Sequence, residues 1–95
     1  MVTIDAKRLE ETFRRYSQIG RTDADGLHRL TLTETDQEVR DLFVEDLKSL
    51  NLDIRIDEIG NIFGRKEGTD PNAEPVLIGS HLDSQPYGGR FDGQL

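Results

Sequence analysis

The segment from Gly79 to Gly93, G-S-H-L-D-S-Q-P-Y-G-G-R-F-D-G, gathers a histidine, two aspartates and four glycines behind the apolar run Val76-Leu77-Ile78. His81 and Asp83 are two residues apart, so on an extended backbone they project to the same side. Imidazole is the commonest metal ligand of its kind, and a neighbouring carboxylate can fix its tautomer and ring orientation. Asp92 is a second carboxylate, brought back by a turn-rich loop containing Pro86, Gly88 and Gly89. Gly93 beside it lets the backbone bend close to a metal or substrate. The pattern suits a metal site. It equally suits a histidine and an aspartate that merely satisfy each other at a strand end, and spacing alone leaves both open. A serine hydrolase using Ser80 or Ser84 fits less well, because there is no G-x-S-x-G elbow. Gly88-Gly89 lacks the Lys-[Ser/Thr] of a phosphate loop.

The elements that must position these residues follow from periodicity. Residues 5–19 read as a helix with Leu9, Phe13 and Tyr16 on one stripe, capped by Thr3 or Asp5 and stopped by Gly20. Residues 21–32 read as a loop with turn signals from Asp23 to Gly26, and its His28 reads as a surface side chain. A second helix is predicted from Glu34 to Leu50. Thr33 with Asp36, and Thr35 with Glu38, match the capping-box spacing, and Val39, Leu42, Phe43, Leu47 and Leu50 share a face.

From Leu52 the period becomes two. Leu52, Ile54 and Ile56 alternate with Asp53, Arg55 and Asp57 as in a half-buried strand. Gly60-Asn61 marks a tight turn, and residues 62–66 return as the second strand of a hairpin. Residues 68–75 are a polar connection, and residues 76–80 read as a short strand buried on both faces. The order helix, helix, hairpin, buried strand indicates an α/β class, with the motif leaving the carboxyl end of a strand, where ligands of such sheets gather.

Composition narrows the classes of function. Ninety-five residues, 34% of them hydrophobic and none tryptophan, allow one small domain with a thin core. The absence of cysteine excludes disulfides, zinc-thiolate sites and cysteine nucleophiles and suits a cytoplasmic protein. The net charge of -7 disfavours nucleic-acid binding. No stretch reaches the ~18 apolar residues of a membrane span, and M-V-T-I-D-A-K-R does not read as a signal peptide, with no basic region leading into an apolar one. Arginine outnumbers lysine nine to three and aspartate outnumbers glutamate eleven to eight. That balance fits either a high-salt cytoplasm or a genomic bias, and it does not bear on the chemistry.

The run L-I-G-S-H-L-D-S-Q-P-Y-G-G-R-F-D-G resembles the first metal-site motif of the M20-type metallohydrolases. More closely it resembles their amidase and hydantoinase branch: N-carbamoyl-L-amino-acid amidohydrolases, β-ureidopropionases of the same fold and allantoate amidohydrolases. The G-G-x-F-D-G ending is rather specific to that branch, whereas H-x-D is shared across the superfamily. The run R-D-L-F-V-E-D-L-K-S-L-N-L-D-I-R-I-D-E-I-G-N-I-F-G-R-K-E-G-T-D-P is similar to the branch's passage from a helix through a paired strand into a Gly-Asn turn. The resemblance covers residues 33–93. One small departure is His28-Arg29-Leu30, where Thr-Arg-Leu is expected.

The resemblance implies that residues 1–95 are the N-terminal portion of a catalytic metal-binding domain, with the lid and dimerisation domain absent. It implies that His81 binds one metal, that Asp92 bridges two, and that Asp83 acts at the catalytic centre by holding His81. The cofactors would be two divalent ions, zinc or manganese, with cobalt or nickel possible. They would lower the pKa of a shared water and polarise the scissile carbonyl. The reaction would be hydrolysis of a C–N bond other than a peptide bond, in a small N-carbamoyl or ureido substrate. No nucleic acid or membrane partner is implied, and the full-length relatives would be homodimers. The general base and further ligands would lie beyond Leu95, so this chain alone is expected to be inactive. Gln85 and Arg90 could face the site. The alternatives are a fragment of an M20 peptidase, or a short non-catalytic module that keeps the motif for binding.

Overall fold

The computed structural model describes residues 2–93 and has two helices followed by a two-stranded sheet. These are α1 (Ala6–Ser17), α2 (Glu34–Ser49), β1 (Asp53–Ile56) and β2 (Ile62–Arg65). The α/β class, both helices and the hairpin agree with the sequence reading. The chain divides into two compact units, one formed by residues up to 39 together with those from 80 on, the other by residues 40–79.

In the first unit, Asp5 is the N-cap of α1, its carboxylate accepting the Arg8 N–H at 3.0 Å. The chain turns away through Gly20, whose φ of +79° is left-handed, as at many helix ends. Thr33 supplies the start of α2, its hydroxyl accepting the Asp36 N–H at 3.4 Å. Asp36 answers not at Thr33 but one residue earlier, accepting the Leu32 N–H at 2.9 Å. That contact steadies Leu32, whose φ of +67° is costly for a residue with a Cβ.

Residues 21–32 have more order than a loop. Leu27 forms single antiparallel bridges to Arg21 and to Gly88, and the Leu27 N–H donates to the Gly88 carbonyl at 2.8 Å while the Gly88 N–H returns at 3.0 Å. Leu27 and Val39 are the fully buried apolar side chains of this unit among the described residues. The stripe read on α1 is only partly covered, with Leu9 47% exposed.

In the second unit, β1 and β2 pair antiparallel with Asp53 opposite Arg65 and Ile56 opposite Ile62. Leu47 of α2 packs on the hairpin at Gly64, where an added Cβ would lie 2.6 Å from a Leu47 methyl and 3.0 Å from one of Leu52. The connection is a five-residue loop rather than a tight turn at Gly60-Asn61. Its organiser is Asp57: Oδ1 accepts the N–H groups of Ile59 at 3.1 Å and Asn61 at 2.8 Å, and Oδ2 accepts the Asn61 side-chain amide at 2.8 Å. Aspartate imposes such geometry because its short carboxylate reaches N–H groups two to four residues on.

The predicted buried strand at residues 76–80 is a correction. The segment forms neither helix nor strand, and Val76, Leu77 and Ile78 are 93%, 77% and 90% exposed. A strand buried on both faces needs flanking strands to take its backbone hydrogen bonds and layers to cover its side chains. Among the described residues the sheet has only β1 and β2, paired with each other.

The Asp57 carboxyl lies below the usual aspartate range, chiefly because the Asn61 side-chain amide donates to it, with backbone N–H donors adding to the effect. A depressed carboxyl contributes stability that is present above its unfolded value and lost as pH falls through the folded one. The Ile59 and Asn61 amide resonances are therefore expected to titrate together, with a midpoint below ~3.9, the free aspartate value. A midpoint at or above that value would contradict the hydrogen-bonded loop.

Candidate functional site

The motif from Ser80 onward lies wholly in the first unit, and buried Arg29 anchors it. Arg29 is 1% exposed. Its Nε donates to the Leu82 carbonyl at 2.8 Å, and Nη1 donates to the carbonyls of Tyr16 at 2.8 Å and Ile19 at 2.9 Å. Its backbone closes a further pair with Ser84, the Arg29 N–H donating to Ser84 Oγ at 2.9 Å and the Ser84 N–H donating to the Arg29 carbonyl at 2.7 Å. A cation at the carboxyl end of α1 also meets the negative pole of the helix. Burial pushes the Arg29 guanidinium below the usual arginine range, while the charges of Asp36 and Asp83 oppose that shift; arginine remains charged in any case.

Fixing Leu82 and Ser84 fixes Asp83 and His81 between and beside them. His81 Nδ1 lies 2.8 Å from the Asp83 carbonyl oxygen and 3.2 Å from Asp83 Oδ1. Both oxygens can only accept, so Nδ1 carries the proton and the Nε2 lone pair of the neutral ring is left for another partner. The Asp83 carboxyl lies below its ordinary range, first because the Thr31 hydroxyl donates to it and further because of His81, with partial desolvation acting the other way. With side chains 48% and 41% exposed, the His81–Asp83 contact serves to orient the ring and adds little stability.

His81 Nε2 sits against Gly93, so closely that any Cβ there would overlap it. The φ of Gly93 is +75°, a second reason for glycine. Ser80 ties the two ends of the motif, its hydroxyl donating to the Gly93 carbonyl at 2.6 Å. Asp92 closes its own turn by accepting the Gly89 N–H on Oδ2 at 2.7 Å. The fold therefore brings the free nitrogen of His81 to the residue next to Asp92. The Ser80 and Ser84 hydroxyls are committed to backbone groups, which removes the geometric basis for a serine nucleophile here.

A neutral imidazole nitrogen and a carboxylate are donors suited to a divalent metal. Among the described residues, no three His, Cys, Asp or Glu side chains gather closely enough to hold an ion.

Arg90 lies over the Phe91 ring at 5.2 Å and reaches Asp25 at 4.0 Å. Gln85 is exposed. His28 is exposed as expected, its Nδ1 2.6 Å from the Pro86 carbonyl. Sequence reasoning gave no role to Arg29 or Thr31. The available signal was the alternation Leu27-His28-Arg29, which puts Leu27 and Arg29 on one side; a buried arginine is uncommon enough for that side to read as polar loop.

No family model matches the chain. It is 45% identical over 92 residues to an N-carbamoyl-L-amino-acid amidohydrolase of Rhizobium meliloti, an alignment covering 97% of this chain and 22% of that protein. It is 37% identical to an allantoate amidohydrolase of Escherichia coli strain K12, over 100% of this chain and 23% of that protein. A crystal structure of a hydantoinase/carbamoylase family amidase from Burkholderia ambifaria superposes with a TM-score of 0.91 at 47% identity, over 95% of this chain and 22% of that one. The chain thus spans less than a quarter of the length of these relatives. No helix among the described residues is long and apolar enough to cross a membrane.

Replacing Arg29 by Met withdraws a charged donor from three carbonyls. The loss expected in chemical denaturation is about 3 kcal/mol or more, from hydrogen bonds to a charged group. A loss under ~1 kcal/mol would show that solvent takes over those carbonyls. Gly93→Ala should displace the His81 ring, seen as shifts of the His81 imidazole resonances with those of α1 unmoved; unchanged imidazole resonances would refute the close approach.

Proposed function

Because the chain is homologous over nearly its whole length with a segment of the hydantoinase/carbamoylase-type amidases, we propose that it is the part of a binuclear metal-dependent amidohydrolase that supplies two of the metal-holding side chains. His81 would bind through Nε2, Asp92 would bridge through its carboxylate, and Asp83 would hold the His81 ring from Nδ1. The substrate class is N-carbamoyl amino acids or related ureido compounds, as in the relatives' names. The observation that carries the reading is the state of His81, whose Nδ1 is committed to two acceptor oxygens of Asp83. Ligating histidines characteristically donate their other N–H to such a partner.

Two divalent ions, zinc or manganese with cobalt or nickel as alternatives, would supply Lewis-acid polarisation of the scissile carbonyl and activation of water. This chain's residues have a narrower task. Asp83 keeps the His81 proton on Nδ1, Gly93 gives Nε2 room, and Ser80 holds the segment around Asp92 in place. One imidazole and one carboxylate leave two metal ions undercoordinated, so the chain alone should bind metal weakly and turn over no substrate.

Calorimetric titration with zinc or manganese tests the ligand assignment. His81→Ala and Asp92→Ala should each weaken binding by about tenfold or more, the scale of losing a ligand or its support. Equal affinity in both variants removes the assignment. An ammonia-release assay with N-carbamoyl amino acids should register nothing above the metal-only control, and robust metal-dependent turnover by the 95-residue chain would overturn the incomplete-site reading.

A further inference from the structure

The carboxylate of Asp83 has a second holder. Thr31 Oγ1 donates to Asp83 Oδ2 at 2.7 Å across 52 residues of sequence. Oδ1 of the same carboxylate faces His81 Nδ1 at 3.2 Å. The oxygens are divided, one toward the threonine hydroxyl and one toward the histidine.

Thr31 is itself held on both sides. Two residues before it, the buried Arg29 side chain fixes the backbone through the carbonyls of Tyr16, Ile19 and Leu82. After it, Thr33 donates its hydroxyl to the Leu30 carbonyl at 2.6 Å, and Asp36 accepts the Leu32 N–H at 2.9 Å. Thr31 therefore stands in a turn bonded at both ends and presents its hydroxyl from a fixed place. A carboxylate needs such a holder, because rotation about its last bond is broad and nearly two-fold, so an unheld Asp83 would sample many planes.

We propose that Thr31 is a positioning residue whose hydroxyl sets the plane of the Asp83 carboxylate and, through it, the tautomer and ring orientation of His81. This rests on the reading of His81 as a metal ligand. The chemistry is indirect: the hydroxyl touches no reacting atom, and its effect passes through the acceptor that keeps the His81 proton on Nδ1. The Asp83 carbonyl oxygen, 2.8 Å from Nδ1, remains when the carboxylate turns away, so the effect of losing Thr31 is partial.

The test compares Thr31→Val, which keeps the shape and removes the hydroxyl, with Thr31→Ser, which keeps the hydroxyl. Imidazole 15N shifts, read where the rings are neutral, give the tautomer of each of the chain's two histidines. His28, whose Nδ1 faces the Pro86 carbonyl, serves as the internal reference. Thr31→Val should raise the Nε2–H tautomer of His81 about threefold, the low end of the scale of one hydrogen bond because the Asp83 carbonyl still accepts from Nδ1. It should leave His28 unmoved and weaken zinc binding by a similar factor, and Thr31→Ser should restore both. An unchanged His81 tautomer in Thr31→Val, or a Thr31→Ser variant that behaves like it, overturns the proposal. Should Thr31→Val lose its fold, Thr31→Ala is read against Thr31→Ser in the same way. Zinc titration of His81→Ala is the separate arm: affinity equal to the parent's removes the ligand reading, while the tautomer result judges the Thr31 contact by itself.

Discussion

One buried guanidinium holds together pieces of chain that are far apart in sequence. Arg29 bonds the last turn of α1 and the backbone of the motif at Leu82, and its own backbone pairs with Ser84. A cation placed out of water is tolerated only when its donors are used, and several of those of Arg29 end on carbonyl oxygens. In a unit whose fully buried apolar side chains among the described residues are Leu27 and Val39, this polar cross-tie substitutes for a larger core. The geometry of His81 follows from it, because Leu82 and Ser84 bracket Asp83.

The fold was legible where local rules act. The helix caps at Asp5 and Thr33 were readable because a short polar side chain reaches an N–H three residues on. The hairpin was readable from its two-residue period. Its loop is not, because Gly60-Asn61 carries the turn signal while Asp57, which ties the loop together, continues the strand's polar alternation. The apolar run at residues 76–80 is not legible as strand or coil, because an uninterrupted apolar stretch reports what a segment can bury, not whether anything here covers it.

The site was legible in its residue types and only partly in its relations. His81 with Asp83 could be read from a spacing of two, since both lie on one short stretch. Thr31 and Arg29 could not, because their partners are more than fifty residues away and no periodic pattern encodes such a pairing. The approach of His81 Nε2 to Gly93 was foreshadowed only by the glycine itself. The departure at His28 is harmless, since that ring faces outward between the buried Leu27 and Arg29.

The uncovered Val76-Leu77-Ile78 run has a consequence for the chain in solution. It is uncharged and partly β-branched, and such segments template intermolecular pairing when left open. Pro75 before it and Gly79 after it are poor strand formers and keep the adhesive stretch short. Long-range repulsion between molecules each carrying a net charge of -7 acts against such pairing as well. Added salt shortens the reach of that repulsion to about 10 Å at 0.1 M while leaving the apolar attraction intact. Lower ionic strength thus favours separation of these molecules, and higher ionic strength favours their contact through this run.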